Sequence, residues 1–216
     1  VTLGLYLVIT LVLITVLGPI QPEYTYLQKV SLVQPRTGNE LDPAILAQLR
    51  AHPSVERVMP ATSLPIAINT LIGNDTFDLL AVRDADIAPL LDYSGVTISV
   101  GRSIRPRSSE VMLSVELARN LGLQVGDQLG RTVNTSNYSF IREPLTLVGL
   151  LTGETRLGLI SYEYVSSHEL YRAQARYGVL VTAKPGQAAV LDDFLVNTIG
   201  GPNAEVYTLR RFLAQR

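Results

Sequence analysis

The chain opens on an unbroken apolar block. From Val1 to Ile20, thirteen of twenty positions are Leu, Ile or Val and none is charged. At ~1.5 Å per helical residue such a run spans ~30 Å, about one hydrocarbon core. The pattern predicts a transmembrane helix over residues 1–22, with Tyr24 and Tyr26 placed as interfacial aromatics just past it. The exit, Gly18-Pro19-Ile20-Gln21-Pro22, lacks the small-residue cleavage pattern of a secretory signal.

Beyond the block the periodicities alternate. Residues 28–34 read as a strand. A helix follows over 43–51, capped by Asp42, started by Pro43 and striped by Ile45, Leu46 and Leu49, with Pro53 after it. Extended structure is expected over 55–59 and 64–68, with Pro65 marking an edge or a bulge, and Gly73-Asn74-Asp75 punctuates a hairpin into 76–82. The tail repeats the theme. Strand 177–183 leads through Pro185-Gly186 into helix 188–199, which Gly200-Gly201 closes; strand 204–207 follows, and Thr208 caps a last helix. Ser166-Ser167-His168-Glu169 reads as a capping box opening a further helix.

The middle is richer in short strands: 96–100, 110–113, 128–133, 145–151 and 159–165. The resulting expectation is an α+β fold. An α/β lobe made of two strand–helix–strand units (residues 23–83 and 160–216) carries an inserted β-rich lobe (84–159), all behind the N-terminal span. Glycines and a proline at the lobe junctions, Gly101, Pro106, Gly153 and Gly158, are hinge candidates.

Charge and composition remove whole classes of function. Lys and Arg number 18 and Asp and Glu 19, a net charge of −1, which excludes a nucleic-acid binder driven by phosphate neutralisation. The absence of cysteine excludes disulfides, thiolate metal sites and cysteine nucleophiles. No Walker loop, dinucleotide fingerprint or nucleophile elbow is present. The two histidines, His52 and His168, are too far apart for a zinc helix; His52 ends a helix and His168 is expected to face solvent. Asp84/Asp86 and Asp192/Asp193 fall at a helix start and on a helix flank, as caps or solvated faces. No residue stands out as catalytic, cofactor-binding or metal-ligating.

The most specific stretch is Glu110 to Leu129. A short strand leads to Ser114 as N-cap. Leu117, Ala118 and Leu121 face inward, Gly122 serves as a left-handed C′ residue, Leu123 packs back on Ala118, and Gly126-Asp127 makes a tight turn. This spacing resembles the signature of the MacB-like periplasmic core domain, the extracytoplasmic domain of FtsX-like permeases in ABC transporters. Gly101-Arg102, the strand Leu145 to Leu151, and the segment Pro53 to Pro60 are similar to further family pieces in the same order. The strand opens from Ser108-Ser109 where the family usually has Gly-Asn.

The resemblance implies a membrane permease subunit and not an enzyme, with one span here and the globular domain outside the cytoplasm. It implies a cytoplasmic ABC ATPase that hydrolyses ATP and a second permease copy or paralogue as dimer partner. It also implies an extracytoplasmic substrate or adaptor protein, such as a lipoprotein, peptide or drug to be exported or released. Membrane lipid is a further contact; no cofactor and no nucleic acid are expected. The alternatives are the ectodomain of a single-span sensor, or a pilin-like subunit, whose assembly logic asks for Glu where Leu5 stands.

Overall fold

The computed structural model describes residues 29–70, 73–130, 141, 143–152, 157–173 and 175–208. The span expected over 1–22 and the helix expected after Thr208 lie outside these residues. Among the described residues no helix is long and apolar enough to cross a membrane.

Among the described residues ten strands form one mixed sheet in the order β10-β1-β9-β2-β3-β8-β5-β7-β4, with the two-residue β6 beside β7. In chain order these are β1 (Val30–Pro35), β2 (Val55–Thr70), β3 (Gly73–Val82), β4 (Thr97–Gly101), β5 (Glu110–Ser114), β6 (Gln128–Leu129), β7 (Leu145–Thr152), β8 (Gly158–Ser161), β9 (Arg176–Ala183) and β10 (Ala204–Tyr207). Only β3–β8 and β5–β7 run parallel. The helices are α1 (Pro43–Ala51), α2 (Asp84–Ser94), α3 (Val115–Leu121), α4 (Tyr162–Ser167), α5 (Glu169–Arg172) and α6 (Ala188–Phe194), the last running into a π-helical turn at Leu195–Ile199.

Alternation along the strands separates the cores. Leu32, Met59, Ala61, Leu80, Val82 and Leu180 point to one face and pack beneath Ile87, Leu90 and Leu91 of α2. Val33, Val179, Val181 and Val206 point to the other, under α1, α6 and the π turn. Farther along that second face, Leu79, Ala81, Val111, Leu113 and Ile160 lie beneath α3, α4 and α5. Strands covered on both faces have no polar side: β1 and β5 are buried at every position.

Several local rules act as expected. Asp42 accepts from the Ala44 amide at 2.8 Å and Pro43 starts α1. Gly122 sits at φ +67°, and the Leu123 amide reaches the Ala118 carbonyl at 2.9 Å. Pro65 falls where β2 has outrun β9, whose pairing stops at Ser63–Arg176, and keeps only β3 as neighbour.

Other expectations are corrected. The strand expected over 159–165 stops at Ser161, because the Ser161 hydroxyl accepts from the Tyr164 amide at 3.1 Å and begins α4. The capping box at 166–169 does not form. The Ser166 and Ser167 hydroxyls donate back to the Glu163 and Tyr164 carbonyls, and His168 precedes α5 with no side-chain cap. The helix over 188–199 changes to π geometry after Phe194, and its Gly200 has φ −64°, so no left-handed cap closes it.

Candidate functional site

The signature residues meet at one crossing. The Arg102 amide donates to the Val148 carbonyl at 2.9 Å, bringing the chain after β4 across β7. Gly101 has φ +81°, and a Cβ there would collide with the Val148 carbonyl; a Cβ on Gly149 would collide with the Arg102 carbonyl. Two backbones therefore touch where any side chain would part them.

From this crossing Arg102 reaches Glu110, the first residue of β5. Its two terminal nitrogens donate to the two carboxylate oxygens at 2.8 and 2.6 Å. Arg105 adds its backbone amide at 2.8 Å, Nε at 2.8 Å and a terminal nitrogen at 2.6 Å. The Glu110 side chain is 6% exposed, whereas those of Arg102 and Arg105 are 48% and 73% exposed. The buried partner is thus the acid, held by two solvated guanidiniums. The Arg102 hydrogen bonds, against the opposing cost of burial and with help from Arg105, hold the Glu110 carboxyl far below the ordinary carboxylate range. Beside it, Arg107 takes φ +55° and its amide donates to Asp84 at 3.1 Å. Arg107 and Ser108 turn the chain toward β5, and the Ser108 hydroxyl donates to the Arg105 carbonyl at 2.7 Å.

The turn after α3 is tied to the same strand. The Gly126 amide donates to the Leu147 carbonyl, and the Leu147 amide to the Asp127 carbonyl, both at 2.8 Å. The Asp127 carboxylate accepts from the Gln124 amide at 2.8 Å. The signature is therefore a self-locking unit of β5, α3, β6 and β7.

A second feature lies on the face of the sheet opposite α2. Between α1 and the α4–α5 pair the helices part above β9 and leave an open cleft of about 370 Å³. Leu41, Leu46, Pro60 and Val179 form its apolar wall, and Tyr162, Tyr177, Arg50, Arg172 and Glu40 bring polar groups to it. The Tyr162 and Tyr177 rings meet edge to face at 5.7 Å.

The family model of the MacB-like periplasmic core domain matches residues 2–193. The chain belongs to this family. The periplasmic region of MacB from Actinobacillus actinomycetemcomitans has the same fold, with TM-score 0.52 at 12% identity over 93% of this chain and 97% of that one. The extracellular domain of the noncanonic ABC-type transporter YknZ from Gram-positive bacteria aligns with TM-score 0.47 at 12% identity, over 83% of this chain and 100% of that one. No curated protein matches the sequence. Membership makes the MacB-like domain the extracytoplasmic, non-catalytic part of an ABC transporter permease.

The singled-out residues of the MacB-like domain are scattered. His52 stacks on Phe194 at 3.8 Å and its Nδ1 lies 2.7 Å from the Ser54 hydroxyl, joining the end of α1 to the end of α6. His168 does not face solvent: its side chain is 21% exposed, packed at 5.0 Å from Tyr171 and 3.3 Å from Glu143. Asp86 pairs with Arg83 at 2.8 Å at the start of α2. Gly101 and Gly158 have packing reasons to be glycine; at Gly158 a Cβ would strike Leu79 and crowd Leu113. Gly153 lies outside the described residues. Glu110 and Arg105 were not singled out from the sequence, although an acid opening an apolar strand just after Arg102, Arg105 and Arg107 was a signal available there.

Proposed function

We propose that the domain is a mechanical coupling element. It passes ATP-driven motion, produced by a cytoplasmic ABC ATPase and carried by the permease helices, to the export or release of a substrate such as a lipoprotein, peptide or drug. It does so paired with a second permease copy or paralogue. The observation that carries this is the pairing of β1 with β10, Leu32 opposite Tyr207. The chain before Val30 and the chain after Tyr207 leave the sheet from the same end, on adjacent antiparallel strands. A relative displacement of the two connections therefore acts directly on one hydrogen-bonded ladder, which continues through β9 into the rest of the sheet.

In this reading the two lobes, 23–83 with 160–216 and 84–159, shift about their seam. The pairs Leu79–Gly158 and Leu80–Leu159 of the parallel β3–β8 ladder cross that seam. Family membership favours the permease over the sensor and pilin alternatives. No cysteine within these 216 residues competes with an engineered one for a label. A spin label at exposed Val190 in the whole permease, reconstituted with its ATPase, should show the label-to-label distance between paired domains changing on ATP addition. A distance distribution indifferent to ATP and to its hydrolysis would overturn the coupling role.

A further inference from the structure

The cleft between α1 and the α4–α5 pair holds more than a gap in the helical layer. Its volume of about 370 Å³ falls in the range of small-ligand sites, about 300–1,000 Å³. The Tyr177 hydroxyl oxygen is buried and has no hydrogen-bond partner among the described residues. Buried polar groups are seldom left so, because an unmade hydrogen bond forfeits the group's hydration without return. Burial pushes the Tyr177 and Tyr162 phenols up from their ordinary value, so both stay protonated and able to donate at neutral pH.

The charges around them are unequal. Arg50 on the α1 side and Arg172 on the α5 side both line the cleft, and neither makes an ion pair among the described residues. Arg172 is close enough to act electrostatically on the Tyr177 phenol. Glu40 is the one carboxylate in the lining. Two guanidiniums and two phenolic donors over an apolar wall that includes Leu46 suit a ligand with an apolar body and an anionic end. A cationic amphiphile would meet net repulsion, and a neutral one would leave the arginines unused.

We propose that this cleft is a binding site for an amphiphilic anion, an apolar group carrying a carboxylate. The Tyr177 hydroxyl and the Arg172 guanidinium hold the carboxylate, Arg50 adds a second positive wall, and the apolar wall receives the rest. The site belongs to the folded domain and stands whether or not the domain moves cargo.

The test is calorimetric titration of the full chain in lipid nanodiscs, with empty nanodiscs subtracted. The probes are 4-phenylbutyrate, its amine analogue 4-phenylbutylamine, and N-acetyl-Leu-Phe with a free or an amidated C-terminus. The carboxylates should bind at least about tenfold more tightly than the amine and the amide, as a charge-assisted hydrogen bond requires. Tyr177→Phe should weaken carboxylate binding by about threefold or more with an unchanged melting temperature, and Arg172→Gln by about tenfold. Binding of the peptide acid alone would support the site and mark its source as a peptide end, whereas binding of both acids would support a free organic acid as well. Equal binding of the amine, no binding at millimolar probe, or wild-type affinity in both variants would overturn the proposal. None of these readouts involves the ATPase, so their failure is separable from failure of the coupling role.

Discussion

The Arg102 guanidinium grips both oxygens of the Glu110 carboxylate, at 2.6 and 2.8 Å, and in doing so pins the chain after β4 to the first residue of β5. The contact joins two pieces of the family signature that are separated in sequence.

The first consequence is a pH dependence. Glu110 has a folded-state pKa depressed below its unfolded value of about 4.3, so its stabilisation is fully present above that value and disappears as pH falls toward the folded-state pKa. Glu110→Gln removes the charge and should cost about 1–3 kcal/mol at neutral pH, the scale of hydrogen bonds to a charged group. Urea unfolding between pH 3 and pH 7 checks the sign. The gap between wild type and variant should be full near pH 7 and shrink as the solution is acidified.

The glycines of the signature should rank. Gly122 needs only its backbone conformation, since nothing lies within 4 Å of an added Cβ. Gly122→Ala should cost about 1 kcal/mol from left-handed strain. Gly101→Ala meets the same kind of strain and, in addition, the Val148 carbonyl, so it should cost at least about 2 kcal/mol. Equal melting temperatures for the two variants would show that the β4–β7 crossing is looser than described.

The cap assignments are open to a simple serine comparison. Ser114→Ala and Ser161→Ala each remove a hydroxyl that accepts from a helix amide, at 3.3 and 3.1 Å, and each should cost about 1 kcal/mol. Ser166→Ala and Ser167→Ala remove hydroxyls that only donate back to the preceding turn and should stay within ~0.5 kcal/mol. The opposite ranking in thermal unfolding would restore the capping box at 166–169.

These contrasts show where the sequence was legible. Asp42-Pro43 and Ser114 with Gly122 satisfy their caps within a few residues, so local chemistry alone placed α1 and α3. Strands β1 and β9 were readable from alternation and β-branched content. What escaped depends on distant partners or competing signals. Ser161 and Ser166 present the same cap chemistry, and the choice between them follows from where β8 must stop against β3 and β5. Helix α2 carries Pro89 inside and lacks a side-chain N-cap, so its two acidic residues were its chief local mark. His168 became half-buried only because Tyr171 and Tyr164 surround it in the folded state. The cleft has no sequence signature, since α1, α4, α5 and β9 bring its polar groups together from distant positions.

The placement of β1 has a consequence for how the domain comes into being. Although it is the first described strand, it sits between β9 and β10, the last two. Val33 shares its core with Val179, Val181 and Val206, so that core cannot assemble until the chain through Val206 has been delivered to the same compartment. Pairing over such long sequence separation makes for slow closure. β1 must therefore wait, edges unpaired, for β9 and β10 to arrive, and this interval is where the nascent domain is most open to misassembly and to help from a chaperone.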